Sequence, residues 1–231
     1  MKLAGSLALL AVSLLLGSPG SLTAQGGGVR DTVLSADGAT LRVRVRRGGR
    51  PAAVFLAAAE RPAGWDRLAS LAAARLAITV VTIRSLDGAP DEEARVRAVK
   101  AAIGRLGLPA PLIVVAEAAV ATEAERFAVR WPAMVAGLVL LDPVTAEVRS
   151  ALGQPRGPAI GLGRRVPVRV VSAGRRWGRD GDRVIAAQQG LARASSDGRA
   201  WVAEAVTGSV AEEAPELALA ALSDLVRGRR R

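Results

Sequence analysis

Apolar and polar positions alternate with two different periods along this chain, and the switches between them mark its elements. Leu41, Val43 and Val45 alternate with Arg42, Arg44 and Arg46, the period of a strand with one buried and one wet face. Thr32–Ala36 precedes it, and Asp37-Gly38 between the two runs is a strong hairpin signal. Ala52–Leu56, Ala77–Ile83, Pro111–Val115, Val135–Leu141 and Val166–Val171 are short apolar runs of the kind buried on both faces of a sheet, and Arg199–Val206 reads as a further strand. Between them lie helical patterns at Trp65–Ala74, Asp91–Leu106, Ala119–Arg130, Val184–Ala194 and Pro215–Val226. The second is the clearest: Asp91, Glu92 and Glu93 stand at its start, Val96, Val99, Ile103 and Leu106 share a face, and Gly107 stops it. Residues 144–165 are rich in Gly and Pro and read as loop. An antiparallel hairpin followed by repeated strand–helix units predicts an α/β fold, a three-layer α/β/α sandwich on a mostly parallel sheet, as one domain over residues 31–228.

The first residues follow other rules. Lys2 precedes an apolar run from Leu7 to Leu16, breakers follow at Gly17, Pro19 and Gly20, and Leu22-Thr23-Ala24 ends in a small residue. This is the layout of a signal peptide over residues 1–24, with a flexible leader at 25–30 and export to the periplasm or outside. An uncleaved N-terminal membrane anchor is the alternative, although the apolar run is short for a span.

Composition narrows the chemistry. The chain has 231 residues with no His, Cys or Tyr, which excludes Ser-His-Asp and Cys-His nucleophiles, His-held metals and disulfides. Lys+Arg number 32 against 21 Asp+Glu, a net +11. The cations gather at Arg42, Arg44, Arg46, Arg47 and Arg50; at Arg164 and Arg165; at Arg175, Arg176 and Arg179 around Trp177; and at a tail ending in residues 229–231. No nucleic-acid-binding motif and no phosphate loop accompanies them, so the partner they suit is an anionic envelope surface rather than nucleic acid.

The stretch from Ile113 to Ala121, then Ala128, Arg130, Trp131-Pro132 and Val135-Ala-Gly-Leu-Val-Leu-Leu-Asp-Pro143, resembles the nucleophile-elbow region of the α/β-hydrolase family. The order of elements over about residues 30–228 is also similar. The resemblance implies a strand, a G-x-S-x-G turn and a helix. Its glycines fall at Ala116 and Val120, its Ser at Ala118, and its His at Gly208, or at Ser209 with one residue gapped. The oxyanion loop falls at Ala57–Ala59, and the nearest acids to the family's acid position are Asp180 and Asp182. With nucleophile, base and glycines all replaced, the elbow is expected to relax into an ordinary turn.

Few groups remain that could do chemistry. Glu117, beside the vacant nucleophile position, is a surrogate base or nucleophile, or else a solvated or Arg-paired turn residue. Asp142 ends a sheet strand where such folds place ligands, or else caps local N–H groups before Pro143. Ser85 and Asp87 follow a strand and read as loop, and Asp180-Gly181-Asp182 faintly resembles a calcium loop but lacks its later ligands. No cofactor and no metal is expected. Three readings stay open: an exported non-catalytic relative that binds an unknown small ligand or protein or serves as a structural piece; an esterase-like hydrolase in which Glu117 or Asp142 activates water; and an Arg-driven binder of an anionic envelope or polyanion.

Overall fold

The computed structural model describes residues 28–57, 62–87, 91–155, 161 and 165–228. The segment read as a signal peptide, Ala58 and Ala59, Arg164 and the tail at 229–231 lie outside the described residues.

Eight strands form one sheet in the order β1-β2-β4-β3-β5-β6-β7-β8. β1 (Val29–Ala36) and β2 (Ala39–Arg46) make the expected hairpin, and β2 runs antiparallel to β4 (Ile78–Asp87). Asp37 and Gly38 both take positive φ, 46° and 76°, the turn that matches the twist of paired strands. β3 (Gly49–Ala57), β5 (Leu112–Glu117), β6 (Val135–Leu141), β7 (Val168–Ala173) and β8 (Gly198–Ala203) continue the sheet in parallel from β4. Val29 and Arg30, read as leader, belong to β1 and face Arg46 and Val45 across the ladder.

Helices cover both faces. α1 (Pro62–Leu76), α6 (Val210–Glu213) and α7 (Pro215–Gly228) cover one, around Phe55, Trp65, Val139 and Leu222. α2 (Glu92–Arg105), α3 (Ala121–Arg130) and α5 (Gly181–Arg193) cover the other, around Val54, Val99, Leu138 and Phe127. With so few aromatics the interior is made of Ala, Val, Leu and Ile, and its close packing makes up for their small size. Asp91 caps α2 by accepting the Ala94 N–H at 2.7 Å, and Gly107 (φ 61°) turns the chain out of it.

Several boundaries differ from the sequence reading, each for a local reason. The segment read as loop from 144 contains α4 (Ala146–Ala151), whose single turn and a half is too short to show a period. The last strand ends at Ala203 rather than Val206, because the chain turns there and the Val206 N–H bonds the Ala203 carbonyl at 3.0 Å. The wet face of β2 is also less wet than the alternation implies. Arg46 is buried and donates to Asp66 on α1 at 3.2 Å and to Ser70 Oγ at 3.2 Å. Arg169 on β7 is buried likewise, held by Asp224 of α7 at 2.6 Å and by Asp197 at 3.0 Å. Guanidinium forks thus tie sheet to helix at both places.

α3 carries one buried acid that these forks leave alone. Glu125 is 1% exposed, and its Oε1 has no hydrogen-bond partner among the described residues. Burial, reinforced by the Glu147 and Glu92 carboxylates, pushes its carboxyl up from 4.5 to about 8. The folded state therefore keeps the proton that the unfolded chain releases above pH 4.5, and stability falls as pH rises from there to about 8. Glu125→Gln should flatten that fall and add on the order of 2–3 kcal/mol at pH 7, read from urea unfolding at a series of pH values.

Candidate functional site

In an open parallel sheet the carboxyl ends of the strands form the crevice where ligands are placed. Here that crevice is framed by the ends of β5, β6 and β7, and each contributes one of the positions marked from sequence.

At the end of β5 the chain does not relax. Ala118 holds φ at +51°, a left-handed conformation that costs a residue with a Cβ about 1–2 kcal/mol. A short 3-10 turn over Ala118–Val120 then feeds α3. The expectation of an ordinary turn is thereby corrected: the elbow is intact without its Ser and without its glycines. Two contacts hold it. The Ala118 carbonyl accepts the Val144 N–H at 2.9 Å from the segment after β6, and Ala121, the first residue of α3, is fully buried in the core. Tertiary packing on both sides of the turn outweighs the local strain.

Glu117, one residue earlier, is buried rather than solvated and has no arginine in hydrogen-bond contact. Ser209 Oγ donates to its carboxylate, 2.9 Å from both oxygens, and the Ala211 N–H donates at 3.3 Å. Burial pushes the Glu117 carboxyl up, with these hydrogen bonds pulling the other way. Ser209 also receives the Glu212 N–H at 3.3 Å as the cap of α6. The fold therefore does bring the nucleophile strand and the His-position loop, Gly208-Ser209, into contact. A carboxylate and a hydroxyl bond directly between the two segments.

Asp142 follows β6 with φ at +41° and is fully buried. Its donors come from far along the chain rather than from the local turn. They are the Ala173 N–H at 3.2 Å, Trp177 Nε1 at 3.0 Å, Gln188 Nε2 at 2.9 Å and Arg176 Nη1 at 2.9 Å. Arg176 also lies over the Trp177 ring, 4.9 Å from its centroid. Two members of the Arg–Trp cluster are thus directed inward. Asp180 pairs with Arg183 and Asp182 is exposed, so neither acid named for the family's acid position enters this network.

Gln188 was not singled out from sequence, although a signal existed. It stands at helical spacing between Val184 and Leu191, a polar residue on the buried stripe of α5. A cleft of about 210 Å³ opens beside the elbow, where Leu56, Ala57, Ser85, Val120 and Glu123 meet. Ser85 is part of that cleft's wall.

No family model matches the sequence, and no curated protein is similar to it. Solved structures are similar in shape. A predicted CIB-like hydrolase from Thermoplasma acidophilum superposes with a TM-score of 0.68 at 16% identity, covering 88% of this chain and 100% of that one. The α/β hydrolase domain-containing protein 10 from mouse superposes with a TM-score of 0.63 at 14% identity, covering 86% of this chain and 99% of that one. The chain has the α/β-hydrolase fold. The α/β-hydrolase architecture was the expectation from Ile113–Pro143, and both the sheet order and these superpositions bear it out.

Two outcomes follow from this geometry. Ala118→Gly should stabilise the protein by about 1 kcal/mol in urea unfolding, since Gly adopts positive φ without strain; a loss of stability would mean the turn is not held there. Asp142→Asn should cost on the order of 2–4 kcal/mol and shift the Trp177 fluorescence, because an amide cannot receive all these donors at once.

Proposed function

We propose that this protein is an exported, non-catalytic relative of the α/β-hydrolases, one that binds a ligand or partner or serves as a structural piece of the envelope. The observation that carries the reading is Ala118 at the retained elbow. The turn that presents a nucleophile in this fold is present, and the residue it presents has no nucleophilic atom.

The surrounding residues support the same reading. Acyl transfer at an elbow needs a base near neutrality to take the nucleophile's proton, and the chain has no His. Glu117 is engaged by Ser209 and Ala211, and Asp142 by Arg176, Trp177 and Gln188. The layout of residues 1–24 supports export.

The test uses protein beginning at Gln25. It should neither hydrolyse short-chain p-nitrophenyl esters above the buffer rate nor react with a fluorophosphonate probe, and Ala118→Ser should not restore labelling, since no base stands beside the new hydroxyl. Ester turnover that disappears in Glu117→Gln would overturn the reading and establish a hydrolase with an atypical site. N-terminal sequencing of the protein recovered from the periplasm should begin at Gln25; recovery of the uncleaved chain in membranes would establish the anchored form.

A further inference from the structure

The sheet carries a second cleft, away from the elbow and on the α1 side of the hairpin edge. It is about 190 Å³ in volume and is lined by Arg42 and Arg44 of β2, Thr82 and Arg84 of β4, and Ala57, Trp65 and Asp66. Strand register builds it. Arg42 faces Arg84 and Arg44 faces Thr82 across the antiparallel β2–β4 ladder, so four side chains form a square on one face.

Two features of that square are unexplained by folding alone. Like charges directly opposite each other in a ladder repel, yet neither Arg42 nor Arg84 has a carboxylate partner among the described residues. Thr82 is only 7% exposed, and its hydroxyl has no hydrogen-bond partner among the described residues. Asp66, the one acid on the wall, is already bound to Arg44 at 2.5 Å and to Arg46 at 3.2 Å, while Asp31 holds Arg44 from the other side at 2.6 Å. Asp31 and Asp66 fix the Arg44 fork in place, and neither forms an ion pair with Arg42 or Arg84.

We propose that this cleft binds the phosphate group of a small phosphorylated molecule. Two guanidiniums with no carboxylate partner, and a hydroxyl with no hydrogen-bond partner, among the described residues suit a tetrahedral dianion with three free oxygens better than a two-oxygen carboxylate. The bound anion would relieve the Arg42–Arg84 repulsion and give Thr82 its missing acceptor. The organic part of the molecule would lie toward Trp65 and Ala57, which make the apolar wall. This site does not use the elbow, and it stands whether or not the elbow is catalytic.

Phenyl phosphate, inorganic phosphate and benzoate are the probes, with thermal unfolding and titration calorimetry as readouts at fixed ionic strength. Phenyl phosphate should raise the unfolding midpoint by roughly 5–10 °C at a free concentration a hundredfold above its Kd. Inorganic phosphate should bind more weakly, and benzoate least. Arg42→Gln and Arg84→Gln should each remove most of the effect, Thr82→Val should weaken binding by roughly 3- to 10-fold, and Arg97→Gln on α2 should bind as the parent does. Ligand-free Arg84→Gln should unfold no earlier than the parent, because a repulsion has gone; this also shows that the variant folds. No response to any probe would overturn the proposal. So would equal loss in Arg97→Gln, which would indicate diffuse attraction to a basic surface, or benzoate binding as well as phenyl phosphate, which would indicate a carboxylate site.

Discussion

A carboxylate removed from water has to be given donors in place of its hydration shell, and Asp142 receives four. Much of the crevice side of the sheet is organised around that requirement. Arg176 and Trp177 come from the turn after β7 and Gln188 from the middle of α5, so one buried charge fixes the position of a turn and a helix relative to the end of β6. Glu117 does the same on the neighbouring strand, drawing in Ser209 and the start of α6. Where an enzyme of this architecture would keep its acids available, these two close the strand ends like pins.

Positive φ at Ala118 is sustained by what lies on either side: a strand buried along its whole length and a helix whose first residue is in the core. Those neighbours are set by core packing and do not depend on the side chain at position 118. A change of residue there adds strain but gives the turn no cheaper path, since straightening it would displace α3 from β5 and β6, where Val114 and Leu138 share its core.

Much of this was legible in the sequence because burial writes itself as a period. The hairpin, the five buried strands and the amphipathic helices were found from alternation and from cap residues such as Asp91, and the Ile113–Pro143 resemblance gave their order. What could not be read were contacts that join distant segments. Ser209 meeting Glu117 and Gln188 meeting Asp142 span 92 and 46 residues, and no local pattern encodes either. The elbow was misjudged for a related reason. Local propensity argues against Ala at positive φ, and the force overriding it comes from the layers above and below. α4 and α6 escaped notice because helices of six and four residues have no room for a repeat.

The strand order has a consequence for how the chain is assembled. The hairpin comes first among the described elements, and its turn closes locally, but it docks on β4 rather than on the strand that follows it. Leu41, Val43 and Val45 therefore have no lasting cover until residues beyond 100 have been made and α2 can settle over them. Until then the earliest structure presents an apolar face and an open ladder to its surroundings, the combination that invites mispairing between chains. The arginines that alternate with those three residues keep the other face of the ribbon charged throughout that interval.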